Sequence, residues 1–184
     1  MEACMIFNVL TVLVVLAAVV VLYAFANTPK VVKISRTVLI QASPEVLFPY
    51  INNGRIIQEW NVFIEGDPQV KVTYAGPVEG VGAQWIWEGT KAGAGQATII
   101  TSEPNKNVQL RLDFKRPFKV TNYGEYALEV KGTETEVRWT INETALIPRV
   151  LSNFINLEKM IGAIFEKGLL RLKTLVEAKL NLTP

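Results

Sequence analysis

The sequence predicts an α+β fold. A curved antiparallel sheet of seven strands wraps against one long C-terminal helix, and a single apolar helix precedes the sheet. Three observations carry this. Apolar and polar residues alternate with period two between residues 31 and 145, the signature of half-buried strands. After Pro148 the period changes to the i, i+3, i+4 spacing of a helix. Ahead of both lies Met5–Ala26, a run without a single charge.

That first run explains the chain's positive mean hydropathy of +0.23. Met5–Ala26 contributes about +58 on the usual scale against about +42 for the whole chain, so the remainder averages about −0.1, ordinary for a globular domain. As a helix the run is about 33 Å long, enough to cross a hydrocarbon core of about 30 Å. Tyr23 falls where an amphipathic ring sits at a membrane interface. The alternative is a cleaved signal peptide, because Ala24-Phe25-Ala26 fits a small-x-small cleavage site. Against it, Met1-Glu2-Ala3-Cys4 lacks a basic residue and the apolar run is too long for a signal core. The expectation is a retained transmembrane helix over 5–26, a linker over 27–30 and a soluble domain over 31–180. Lys30, Lys33 and Arg36 follow the run and no base precedes it, so the positive-inside rule expects a single-pass membrane protein with a cytoplasmic domain.

The domain begins with a strand over Val31–Ala42, with Val32, Ile34, Val38 and Ile40 on one face. Arg36 falls on that same face, and nothing in the sequence accounts for it. Ser43-Pro44-Glu45 then starts a helix, with Ser43 at the N-cap, Pro44 at N1 and an acid in the first turn. It runs to about Ile51 and is stopped by Asn52-Asn53-Gly54, and Arg55–Trp60 forms a second short helix. A meander follows: Gln69–Tyr74, Ala83–Thr90, Gln96–Ser102, Val108–Phe114, Phe118–Val130 and Thr133–Ala145. Short Gly- and Pro-containing turns join these strands, so neighbours pair antiparallel. Gly80-Val81-Gly82 and Gly93-Ala94-Gly95 are hairpin turns, because neither stands between a strand and a helix as a phosphate loop must.

The last element, Pro148–Leu180, places Phe154, Leu157, Ile161, Phe165 and Leu172 on one stripe. Lys159, Lys167, Arg171 and Lys173 lie off it. Gly162 and Gly168 inside this helix signal a bend or a close approach of another surface. The sheet has one apolar face, the long helix is its cover, and the gap between them is a natural ligand cavity.

Composition removes several chemistries. The chain has no histidine, which excludes Ser-His-Asp and Cys-His catalysis and histidine-ligated zinc. Its one cysteine, Cys4, precludes an internal disulfide and a Cys-rich metal site. A net charge of +2 does not suggest a nucleic-acid binder. No cofactor, metal or catalytic constellation is expected. Glu88, Asp113 and Glu143 could do acid–base work, but each reads first as an outward polar residue on a strand.

Thr37-Val38-Leu39-Ile40-Gln41-Ala42-Ser43-Pro44-Glu45-Val46-Leu47-Phe48, with Ile51 and Glu59-Trp60 after it, resembles the polyketide cyclase/dehydrase-like branch of the START-like, or SRPBCC, superfamily. Phe165-Glu166-Lys167-Gly168-Leu169-Leu170-Arg171-Leu172-Lys173 is similar to that branch's terminal helix. The resemblance covers about residues 31–178. It implies a helix-grip fold and a cavity for an apolar small molecule, with no shared catalytic constellation. The candidate pocket-lining residues are Trp60, Trp85, Trp87, Phe114, Tyr126, Trp139, Phe154, Ile161 and Phe165. Trp85, Trp87 and Trp139 are expected to face the helix stripe. The function expected is a membrane-anchored binding module for a hydrophobic small molecule or lipid. The alternatives are a cyclase or dehydratase using a carboxylate or Tyr126, and an interaction domain gripping a protein partner.

Overall fold

A computed structural model describes the backbone of residues 2–27, 31–117, 119–144 and 157–181, and the side chains at 7, 10–23, 33–117, 119–142 and 158–181. Helix α1 spans Glu2–Asn27, and its described side chains are all exposed. Among the described residues no helix is long and apolar enough to cross a membrane. Within α1 the continuous stretch of described side chains is 10–23, which rises about 21 Å.

Seven strands form one sheet: β1 (Val31–Ile40), β2 (Lys71–Ala75), β3 (Gln84–Glu88), β4 (Ala94–Glu103), β5 (Asn107–Arg116), β6 (Val120–Lys131) and β7 (Glu134–Thr144). Their order is β1-β7-β6-β5-β4-β3-β2, and every neighbouring pair is antiparallel. The strands match the expected set to within a few residues at each end. Register shifts in β4 at Ala94/Gly95 and Ile99/Thr101 add the local bend and twist that a curved sheet needs.

Between β1 and β2 lie α2 (Pro44–Asn52) and α3 (Gly54–Trp60). Ser43 occupies the N-cap of α2, but its hydroxyl makes no capping bond to the helix backbone. It bonds the carboxylate of Glu45 instead, which holds that carboxyl below its usual range. Asn53 caps α3, its Oδ1 accepting from Arg55 N at 2.9 Å. Trp60 Nε1 donates to Tyr50 O at 2.9 Å and ties the two helices together.

The last helix, α4, is described over Leu157–Asn181, and expected positions 148–156, Phe154 included, lie outside the described residues. It runs alongside β1, the edge strand. Ile161, Phe165, Leu169, Leu172 and Val176 are buried, as the stripe requires. Here Arg36 finds its reason. Its guanidinium lies over Gly162, where a Cβ would come within 2.2 Å of Nη2, and its Nε donates to Glu166 at 2.6 Å. Gly162 therefore makes room for a cation at the sheet edge. Further along, Lys173 Nζ donates to Leu39 O at 2.7 Å, and Glu177 Oε1 accepts from Gln41 N at 3.1 Å.

Candidate functional site

Alternation puts one side of every strand against the helices, and the aromatic residues collect there. Trp139 of β7 stacks on Phe165 of α4, with centroids 4.1 Å apart and planes 4° from parallel. Trp60 meets Trp139 and Tyr126 edge-on at 5.4 and 5.5 Å. Trp60, Tyr126 and Phe165 are fully enclosed, and Ile161 is buried nearby along the stripe. These rings form a packed aromatic block at the α4 end of the sheet. Gly168 permits the approach, since a Cβ there would lie 3.0 Å from Trp139 Cζ3.

Trp85 and Trp87 sit elsewhere. Trp85 lies over α3, where a Cβ on Gly54 would come within 2.7 Å of its ring. Trp87 crosses Gly95 of β4 to meet Phe114 edge-on at 5.5 Å. The expectation that both face the long helix is therefore corrected. In the observed order β3 is next to the β2 edge, while α4 runs along the β1 edge, so α3 covers β3 instead. The inner face is closed where Val108, Leu110 and Tyr126 lie and opens toward half-buried Leu112 and Phe114.

Two residues of the loop between α3 and β2 escaped the sequence reading. Phe63 is 40% exposed yet meets Trp139 and Phe165 edge-on at 5.7 and 5.9 Å, capping their stack from outside. Asp67 is buried, and its carboxylate accepts from Lys91 N at 2.7 Å, Ala92 N at 3.0 Å and Gln69 N at 3.2 Å. The Ala92 N–H foremost, with those of Lys91 and Gln69 and the Thr90 hydroxyl, holds its pKa below the ordinary carboxylate range. Asp67 thus pins this loop to the β3–β4 turn. The sequence hints were Asp67-Pro68, a turn signal, and Phe63 inside the short apolar run Val62-Phe63-Ile64.

The candidate acids do not converge. Glu88 is exposed and pairs with Arg116 at 3.2 Å. Asp113 accepts from Arg111 Nε and, at 2.6 Å, from the Thr121 hydroxyl. The side chain of Glu143 lies outside the described residues. Burial pushes the Tyr126 hydroxyl far above its usual pKa. Among the described residues no group of three or more His, Cys, Asp or Glu could hold a metal. Hollows lined by described residues lie outside the aromatic set. An open one of about 1080 Å³ is bordered by Lys71, Glu88, Lys91 and Arg116, and one of about 420 Å³ lies between Val62–Gly66 and α4.

A curved seven-stranded antiparallel sheet closed by a C-terminal helix defines the helix-grip class. The chain belongs to the family described as polyketide cyclase / dehydrase and lipid transport, which matches residues 31–177. That family generally binds hydrophobic small molecules. Among solved structures, the Aha1 dimer from Colwellia psychrerythraea is 19% identical, covers 79% of this chain and 96% of its own, and gives a TM-score of 0.57. CalU16 from Micromonospora echinospora is 12% identical over 83% of this chain and 88% of its own, with a TM-score of 0.53. DynU16, from the dynemicin biosynthetic locus, is 12% identical over 79% of this chain and 47% of its own, with a TM-score of 0.56. At these identities the likeness is one of fold. A search of the curated proteins found no match.

Proposed function

We propose that this protein is a membrane-tethered binding module for an apolar small molecule or lipid, held on the inner face of the sheet beside α4. The observation that carries the binding reading is the chemistry of that face. Among the described residues it presents Trp, Phe, Leu, Ile and Val with no carboxylate; its polar members are Tyr126, buried and held neutral, buried Asn122, and Arg36 at the β1 edge. Such a surface recognises a ligand by shape and excluded water and needs no titratable group. The open end at Leu112, Phe114 and Trp87 is the proposed point of access, with the Trp139–Phe165 stack as the floor. A cyclase or dehydratase would need polar groups converging on that surface, and Glu88 and Asp113 are engaged elsewhere. Lipid transport in the family description supports the same class of ligand.

The tether rests on α1. From Leu10 to Tyr23 its side chains are apolar apart from Thr11 and the Tyr23 hydroxyl, and all are exposed. A helix apolar on every side calls for an apolar surrounding. The full run Met5–Ala26 is about 33 Å as a helix, matching a bilayer core. Tethering holds the site beside its lipid-dissolved ligand and raises the effective concentration. The basic residues after the run support a cytoplasmic side for the domain.

Native mass spectrometry of the full chain released from detergent tests the binding, with a bound apolar mass expected. Titration with the uncharged fluorophore N-phenyl-1-naphthylamine should saturate, and Trp87→Ala should weaken it. A ligand-free chain that also ignores the fluorophore overturns the proposal. A mature N-terminus at Asn27 overturns the tether.

A further inference from the structure

The sheet carries its charge at opposite ends in opposite sign. Antiparallel register brings the start of β1, the start of β2, the β3–β4 turn, the β5–β6 turn and the end of β7 to one end. Within three residues of those strand ends and in those turns lie Lys33, Lys71, Lys91, Lys115, Arg116 and Lys119, all exposed, against Glu88, Asp113 and Glu143. Asp67 is close by, but its charge is taken up by backbone N–H groups. The opposite end, by the same measure, holds Glu79, Glu103, Glu129, Glu134 and Glu136 against Lys106 and Lys131. A whole-chain charge of +2 conceals this separation.

The basic end is also where the chain leaves α1. Three residues, 28–30, join Asn27 to Val31, and fully extended they reach about 14 Å. Lys30 in that link adds another cation. Lys71, Lys91 and Arg116 border the open hollow of about 1080 Å³ with Glu88 as its one acid.

We infer that the basic end of the sheet is a docking surface for anionic phospholipid head groups, seating the domain on the bilayer that holds α1. The inference rests on the tether proposed above. Charge complementarity selects the occupant, since an anionic leaflet attracts each nearby Lys or Arg by about fivefold in partitioning, within a Debye length of the surface. The acidic end is then repelled from the same surface, so the two ends together set one orientation. It also turns the β3–β4 and β5–β6 turns, which flank Trp87 and Phe114, toward the lipid.

The test uses the full chain with vesicles of neutral phosphatidylcholine and with vesicles containing phosphatidylglycerol. Flotation on the neutral vesicles, retained in high salt, reports the tether alone. Hydrogen exchange then reports the docking. Peptides covering 89–93 and 115–119 should exchange several-fold more slowly on phosphatidylglycerol than on neutral vesicles, while those covering 104–106 and 132–133 do not change. High salt should abolish the protection, as should Lys91→Glu with Lys119→Glu, and the milder Lys91→Gln with Lys119→Gln should reduce it. Equal exchange on both lipids in a chain that floats overturns the docking and leaves the tether standing. A chain that floats only on phosphatidylglycerol, in a salt-sensitive way, overturns the tether and supports the docking. A chain that floats on neither overturns both.

Discussion

Truncating Phe165 to Ala removes the ring that joins α4 to the sheet. The side chain is fully buried, stacks on Trp139 at 4.1 Å and touches Phe63 edge-on at 5.9 Å. Losing a buried Phe side chain from a packed site costs about 3–5 kcal/mol, of which the stacked pair contributes about 0.5–1.5 kcal/mol. The neighbours cannot collapse into the gap without breaking other contacts, since Trp139 is also held by Trp60 and Tyr126. For a domain stable by about 5–15 kcal/mol this is a large fraction. At about 2–4 °C per kcal/mol it lowers the Tm by about 6–20 °C. The assay is denaturant unfolding of the full chain in detergent, followed by tryptophan fluorescence, because all four tryptophans lie in the domain. Phe165→Leu keeps most of the volume and should cost about 1–1.5 kcal/mol. If Phe165→Ala loses less than about 1 kcal/mol, the ring borders empty space and the packed-block description is wrong.

Other outcomes follow from the same geometry. Gly95→Ala places a Cβ 2.3 Å from Trp87 and 2.9 Å from Asp113 O, so it should lower the denaturation midpoint by an amount equivalent to about 1–3 kcal/mol. Gly124→Ala, with its nearest neighbour at 3.6 Å, is the control and should leave the midpoint nearly unchanged. Asp67 has a lowered folded pKa, so its contribution is present above about pH 4 and is lost as pH falls from there toward the folded value. The stability gap between wild type and Asp67→Asn should therefore close on acidification, and a gap unchanged down to pH 2 would contradict the N–H cradle. Tyr126 has a raised folded pKa, so above about pH 10 the unfolded state ionises while the folded state does not. Wild type should then lose stability with rising pH more steeply than Tyr126→Phe, as alkaline denaturation curves will show.

The strands were legible because alternation is a local signal that one buried face imposes on each of them. Val108, Leu110 and Val137, Trp139, Ile141 read inward and are buried inward. The helical stripe of α4 was legible for the same reason over its described length. What could not be read was which wall each inward residue meets. Trp85 and Trp139 carry the same local pattern, yet strand order gives one to α3 and the other to α4. Arg36 looked like an error in the pattern because its partners, Gly162 and Glu166, are far away in the chain. Phe63 and Asp67 stand in an irregular loop, where no period exists to betray a role. The charge separation was hidden by connectivity, since residues 33, 71, 91 and 116 come to one end of the sheet only through register.

An open sheet ends in two rows of backbone groups that could bind another strand. At β1 that row is occupied by a helix. Lys173 supplies a donor to Leu39 O, Glu177 an acceptor to Gln41 N, and the two side chains, one turn apart, hold each other at 3.3 Å. They stand where the next strand's amide and carbonyl would be. At the other edge β2 offers five residues, and Gly76-Pro77 ends it. On the proposed tether, confinement to a surface would make like domains collide far more often than they do in free solution. A borrowed pair of side chains at one margin and a brief strand at the other let copies crowd together without zippering into a shared sheet.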